Sequence, residues 1–138
     1  MKREFWWSNA IFFALLQVFG ILGLVYLVQG RMHPATIVYA AILYIYGGLS
    51  IAMGYHRYFS HDAYKTHPWV EIAYLFGGVI SAQASALWWA TLHRLHHGYV
   101  DKERDPYNAT KGFWWSHIGW LLWKTRLAWD LHSEKVDV

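Results

Sequence analysis

Residues 10–28 (AIFFALLQVFGILGLVYLV) hold a single polar side chain, Gln17, in an otherwise apolar run. About 20 apolar residues cross the hydrocarbon core of a bilayer, so the run predicts a first transmembrane helix. Ser8 and Asn9 stand just before it as N-caps. Lys2 and Arg3 ahead of an apolar run also have the outline of a signal peptide. The run is longer than a usual signal core and no small-x-small cleavage site follows, which favours an uncleaved anchor. The turn QGRMHP (29–34) contains Gly30 and Pro34, and proline suits the first turn of a helix. Residues 35–53 (ATIVYAAILYIYGGLSIAM) are uncharged and predict a second span. The two transmembrane helices are therefore expected at about 10–28 and 35–55. Continued to His61, the second would be roughly 40 Å long at 1.5 Å per residue. The core is about 30 Å thick, so the last turns would emerge from the membrane and carry His56 and His61 with them.

The third apolar run, 69–90 (WVEIAYLFGGVISAQASALWWA), is long enough to cross but less apolar. It holds Glu71, Ser81, Gln83 and Ser85, with Gly77 and Gly78 at its middle. Crossing would set the histidines before it and those after it on opposite faces, about 30 Å apart. The run is read instead as an interfacial helix, lying in or capping the membrane surface and packed on the emerging helices. Residues 101–112 (DKERDPYNATKG) form a polar loop with Pro106 and Gly112. Residues 113–123 (FWWSHIGWLLW) predict a short aromatic interfacial helix, because Trp is amphipathic and favours that depth. The expected architecture is all-α: one integral membrane domain with two spans, an interfacial helix and cytoplasmic histidine-bearing helices.

Composition sharpens this picture. The chain has 138 residues, 56% hydrophobic and 20% aromatic, with ten Trp, and a mean hydropathy of +0.13. That modest mean is compatible with a membrane protein because the polar residues are segregated. The absence of cysteine excludes disulfides and thiolate ligands. A net charge of +3 without a dense basic run gives no support for a nucleic-acid role. Of the twelve Lys and Arg, only Arg31 falls in the 29–34 turn. The positive-inside rule then places both termini and the histidine boxes in the cytoplasm, with that turn opposite.

The candidate chemistry lies in two histidine clusters, HRYFSH at 56–61 and HRLHH at 93–97. Imidazole is the commonest protein metal ligand and suits iron, zinc and copper. Five ligands, His56, His61, His93, His96 and His97, exceed a closed tetrahedral zinc site and fit two neighbouring ions better. On a helix His93, His96 and His97 share a face and form a stripe. His56 and His61 lie five apart, about 140° around an α-helix, and either need a distorted last turn to meet or each reach a different metal. Asp62, Asp101 and Asp105 are candidate carboxylate partners for ligating rings, with Asp101 and Asp105 the better placed. His33 is read as polar loop, His67 as a cap or turn residue before Pro68, and His132 as part of a polar tail. His117, among aromatic residues, is ambiguous.

GYHRYFSH (54–61), WWATLHRLHH (88–97), D-x3-DPYN (101–108) and GFWWSHIGW (112–120) together resemble the membrane fatty acyl desaturases of the Δ9-type acyl-CoA group. The resemblance runs from about Ile51 to Trp123, with the two spans in the expected place before it. It implies two iron ions held by histidine boxes, O2 and two electrons from a donor such as cytochrome b5 or ferredoxin, and a long-chain acyl substrate that gains a cis double bond. Histidine boxes also occur in membrane hydroxylases, and a non-catalytic metal-binding membrane subunit is a third reading; the flanking motifs favour the desaturases. Two departures stand out. Thr91 and Leu92 occupy the place of an Arg-Asp pair near the CoA head group of the animal enzymes, and no third H-x2-HH box follows His97. The chain therefore reads as the N-terminal portion of a desaturase domain, as a fragment, a truncated gene or a piece of a split protein, and independent activity is not expected of it.

Overall fold

The computed structural model describes residues 4–124. Among them the chain is helical, with one isolated antiparallel bridge between Phe5 and Trp123. His132 and the basic residues Lys2 and Arg3 lie outside the described residues.

Helix α1 (Trp7–Val28) is 22 residues long and buries none of them. It starts earlier than the apolar run suggested, so Ser8 and Asn9 sit in its first turn and no side chain caps it. Asn9 instead donates from Nδ2 to the Leu121 carbonyl at 2.7 Å, tying the helix start to the far end of the described chain. At the other end Gly30, at φ 66°, accepts the left-handed conformation that stops a helix. The Gly30 and Arg31 amides then bond back to the Leu27 and Tyr26 carbonyls, each at 3.0 Å.

Helix α2 (Pro34–Leu49) opens on Pro34, and His33 caps it by accepting from the Ala35 amide through Nδ1 at 3.2 Å. The loop histidine is thus a helix cap. Without a break, α2 passes into a π-helical segment (Ser50–Ser60), giving one 27-residue helix. It and α1 are each long and apolar enough to cross a membrane.

The run read as one interfacial helix is two: α3 (Pro68–Ile80) and α4 (Ala86–Gly98). Each has 13 residues, about 20 Å at 1.5 Å per residue and short of a bilayer core. His67 caps α3 through Nδ1, accepting from Trp69 N at 3.3 Å. Ser85 caps α4, accepting from Trp88 N at 3.2 Å. Between them the chain turns on Ala82, whose amide bonds to the Val79 carbonyl at 3.0 Å while that of Gln83 bonds to Gly78 at 3.1 Å. Ala82 takes φ 55° there, a conformation glycine adopts more cheaply.

Helix α3 runs antiparallel to the second long helix. Glu71 accepts a hydrogen bond from the Tyr58 hydroxyl, Tyr74 lies on Gly54, Gly77 on Ser50 and Ser81 on Gly47. A methyl group at Gly78 would collide with the Tyr55 ring, so glycine sets how closely the two helices approach. Helix α4 returns along the π segment. Buried Tyr55, Ala86, Ala90, Leu92 and Leu95 form the core between them. The predicted aromatic helix is also divided, into α5 (Phe113–His117) and a 3-10 turn (Gly119–Leu122). The chain leaves the helix at Ile118, φ −133°. This lets the Leu122 carbonyl accept from Trp6 N at 2.8 Å and Lys124 N donate to the Glu4 carbonyl at 2.9 Å.

Candidate metal centre

The π segment decides the geometry of the first box. Its i→i+5 hydrogen bonding returns residues five apart to nearly the same face. His56 and His61 therefore meet, with ring centroids 4.9 Å apart. In an α-helix the same spacing would have splayed them. Short π segments are found frequently at functional sites.

The second box faces them from α4. His93 Nε2 lies 3.1 Å from His61 Nε2 and 3.0 Å from His97 Nε2, and the His56 and His93 centroids are 4.6 Å apart. Ligand atoms of His56, His61, His93 and His97 all fall within 4.8 Å of one another. Nitrogens each about 2.1 Å from a common ion and at right angles are about 3.0 Å apart, so the spacing suits a transition-metal ion with more than four positions. The donor set is imidazole alone, which suits iron, copper or zinc over calcium or magnesium. Burial and the neighbouring His56 and His97 push His93 down to about 4. The same causes lower His61. Both rings are thus neutral near pH 7, the form that binds metal.

His96 departs from the expected stripe. Its Nδ1 is bonded to Asp105 Oδ2 at 3.0 Å, and Tyr107 lies over the ring at 4.4 Å. On α4, positions 96 and 97 are about 100° apart, so they flank His93 on opposite sides. His97 faces the π segment and His96 faces the following loop. Asp105 is 1% exposed and also accepts from Asp101 N at 2.9 Å and Tyr107 N at 3.2 Å. Among the described residues no hydrogen bond joins Asp101 to a histidine; its carboxylate accepts from Ala109 N at 3.0 Å. Burial, then the Asp105 charge, push Tyr107 up to about 12. His117 is outside the cluster, stacked on Phe113 at 4.0 Å with Nδ1 against the Phe113 carbonyl.

Three residues that pattern reasoning passed over shape the site. Trp89 stacks on His93 with centroids 4.8 Å apart, Tyr55 packs against Trp89, and Arg94 binds the end of the π segment. Trp89 is four positions before His93 and Arg94 one after it, but Tyr55 and the carbonyls that Arg94 binds are more than thirty residues away in sequence. Beside the cluster runs a groove of about 900 Å³, walled by Trp6, Phe12, Phe13, Trp88 and Trp120 and reaching His93.

No protein-family model matches the chain. Curated relatives do. It is 38% identical over 107 residues to acyl-CoA desaturase 1 of Saccharomyces cerevisiae, covering 78% of this chain and 21% of that protein. It is 43% identical over 122 residues to the (11Z)-hexadec-11-enoyl-CoA conjugase of Bombyx mori, covering 88% and 37%. Against the sn-1 stearoyl-lipid 9-desaturase of Anabaena variabilis it is 35% identical over 123 residues, covering 88% and 44%. The chain thus spans less than half the length of these relatives. Two apolar helices with a histidine cluster at the end of the second define a membrane protein built around a candidate metal centre. Over the stretch it spans, the chain is similar to fatty acyl desaturases of the Δ9 group.

Proposed function

We propose that this chain supplies the first two histidine boxes of a membrane di-iron fatty acyl desaturase, which places a cis double bond in a long acyl chain. The observation that carries the proposal is the convergence of His56, His61, His93 and His97, from boxes more than thirty residues apart, within 4.8 Å. These four residues would hold iron, and His96, its Nδ1 engaged by Asp105, would present Nε2 as a further ligand. Iron with O2 supplies an oxidant able to break an unactivated C–H bond, which side chains alone do not.

The remaining work falls to the chain itself. The aromatic groove would take an extended acyl chain against its Trp and Phe walls. His93 belongs to both groove and cluster, so a chain lying in the groove passes beside the metal. Holding the substrate in one register fixes which carbons react. Trp89, stacked on His93, packs against the face of that ring and restricts its rotation. The boxes and both termini would face the cytoplasm, where a carrier such as cytochrome b5 or ferredoxin delivers the two electrons.

A chimera tests this reading. Residues 51–123 would replace the matching stretch of the Saccharomyces cerevisiae relative, and fatty acids would be measured by gas chromatography. The expected product is monounsaturated, and it should vanish with His93→Ala. A stable chimera yielding hydroxylated chains would turn the reading toward a hydroxylase, and one yielding no product would remove it.

A further inference from the structure

We infer that Arg94 is a positioning residue that locks the two histidine boxes against each other. The inference rests on the metal-centre reading above and goes beyond the ligands it names. Arg94 follows His93 on α4, and its guanidinium reaches across to the end of the π segment. Nε donates to the Ser60 carbonyl at 2.7 Å and Nη2 to the Phe59 carbonyl at 2.8 Å.

Those carbonyls belong to the last turn of a helix, where oxygens have no partner from within the helix itself. The others near that end are supplied locally: Tyr58 O by Asp62 N at 3.1 Å, Arg57 O by Ala63 N at 3.0 Å, and Tyr55 O by Ser60 Oγ at 2.6 Å. Arg94 serves the two carbonyls immediately before His61. A cation is also favoured at the negative end of the helix, and bonds from a charged donor are about twice as strong as neutral ones.

The geometry of the donor matters more than its charge. A guanidinium is planar and holds its N–H groups in a fixed fork. Two bonds to successive carbonyls set both the separation and the rotation of α4 relative to the π segment. The residues on either side of this contact are His61 and His93, whose Nε2 atoms stand 3.1 Å apart. A lysine could neutralise the same helix end through a single point, but would leave the rotation free. Arg94 therefore fixes where ligands from separate boxes point, although it touches no candidate metal position.

The test is an anaerobic titration of the purified chain in detergent with Co(II), whose visible absorption reports coordination geometry. Variants are Arg94→Gln, Arg94→Lys and, as a control for loss of a charge near the end of the π segment, Arg57→Gln. Far-UV circular dichroism checks the fold of each. Arg94→Gln should weaken Co(II) binding about 10- to 100-fold, the range for residues that orient metal ligands. It should also shift the absorption bands at saturation, which a loss of stability alone would not do. Arg94→Lys should fall between, and Arg57→Gln should match the parent. Parent-like affinity and spectrum in Arg94→Gln would overturn the inference. If Arg94→Gln loses helicity, Arg94→Lys decides: an altered spectrum supports the lock and a parent-like one overturns it. If the parent binds no Co(II), or binds it equally well with His93→Ala, the metal-centre reading falls and takes the lock with it.

Discussion

At the scale of single residues, the structure separates histidines that gather from those that cap. His56, His61, His93 and His97 form one cluster, while His33 and His67 accept from backbone amides at the starts of α2 and α3. Changing any of the first four to Ala should weaken iron or Co(II) binding at least about tenfold, as loss of even an orienting partner does. His33→Ala and His67→Ala should leave metal binding intact and cost about 1 kcal/mol of stability each, the worth of a helix cap. Isothermal titration and thermal unfolding read the two effects separately. Asp105→Ala should be more damaging, since a buried carboxylate with two backbone donors and an imidazole on it is lost. Unsatisfied donors cost about 1–3 kcal/mol, so a clear drop in the unfolding midpoint is expected. The sequence showed which residue types matter but not where His96 would turn. Helical spacing put His93, His96 and His97 on one face. Only the positions of the π segment and the 101–108 loop assign His97 to the cluster and His96 to Asp105.

At the scale of elements, spacing in the sequence identified the need before the structure showed the means. A step of five from His56 to His61 does not bring two rings together on an α-helix, and the structure resolves it with an eleven-residue π segment. The apolar pattern also marked both long apolar helices to within about five residues. It did not divide 69–90 into α3 and α4, because the turn is made by Ala82 at φ 55° in place of glycine, and Ser85, which caps α4, was the signal that could have marked it. Two substitutions probe the packing that holds the π segment. Gly78→Ala would press a methyl group into the Tyr55 ring, and overpacking of this kind costs about 1–3 kcal/mol. Gly48→Ala, with open space around the added atom, should be neutral or stabilising by up to about 1 kcal/mol through helix propensity. Equal unfolding midpoints for the two variants would mean that the close approach of α3 is not what holds this region together.

At the scale of the whole molecule, the account requires one membrane face for both boxes. Neither α3 nor α4 is long enough to cross a bilayer core, and His93 and His97 of α4 reach the end of the second long helix. The chain has no native cysteine, so Tyr64→Cys and Lys102→Cys can each be labelled alone with a membrane-impermeant reagent. Both should label from the same side, and labelling from opposite sides would mean that 69–90 crosses. The central claim is that two distant boxes make one metal centre. X-ray absorption at the iron edge, on the purified chain loaded with Fe(II), tests it most directly. Scattering from several imidazole rings is expected, lost when His56, His61, His93 and His97 are together changed to Ala. An iron shell of oxygen alone, or imidazole scattering unchanged in that variant, would contradict it.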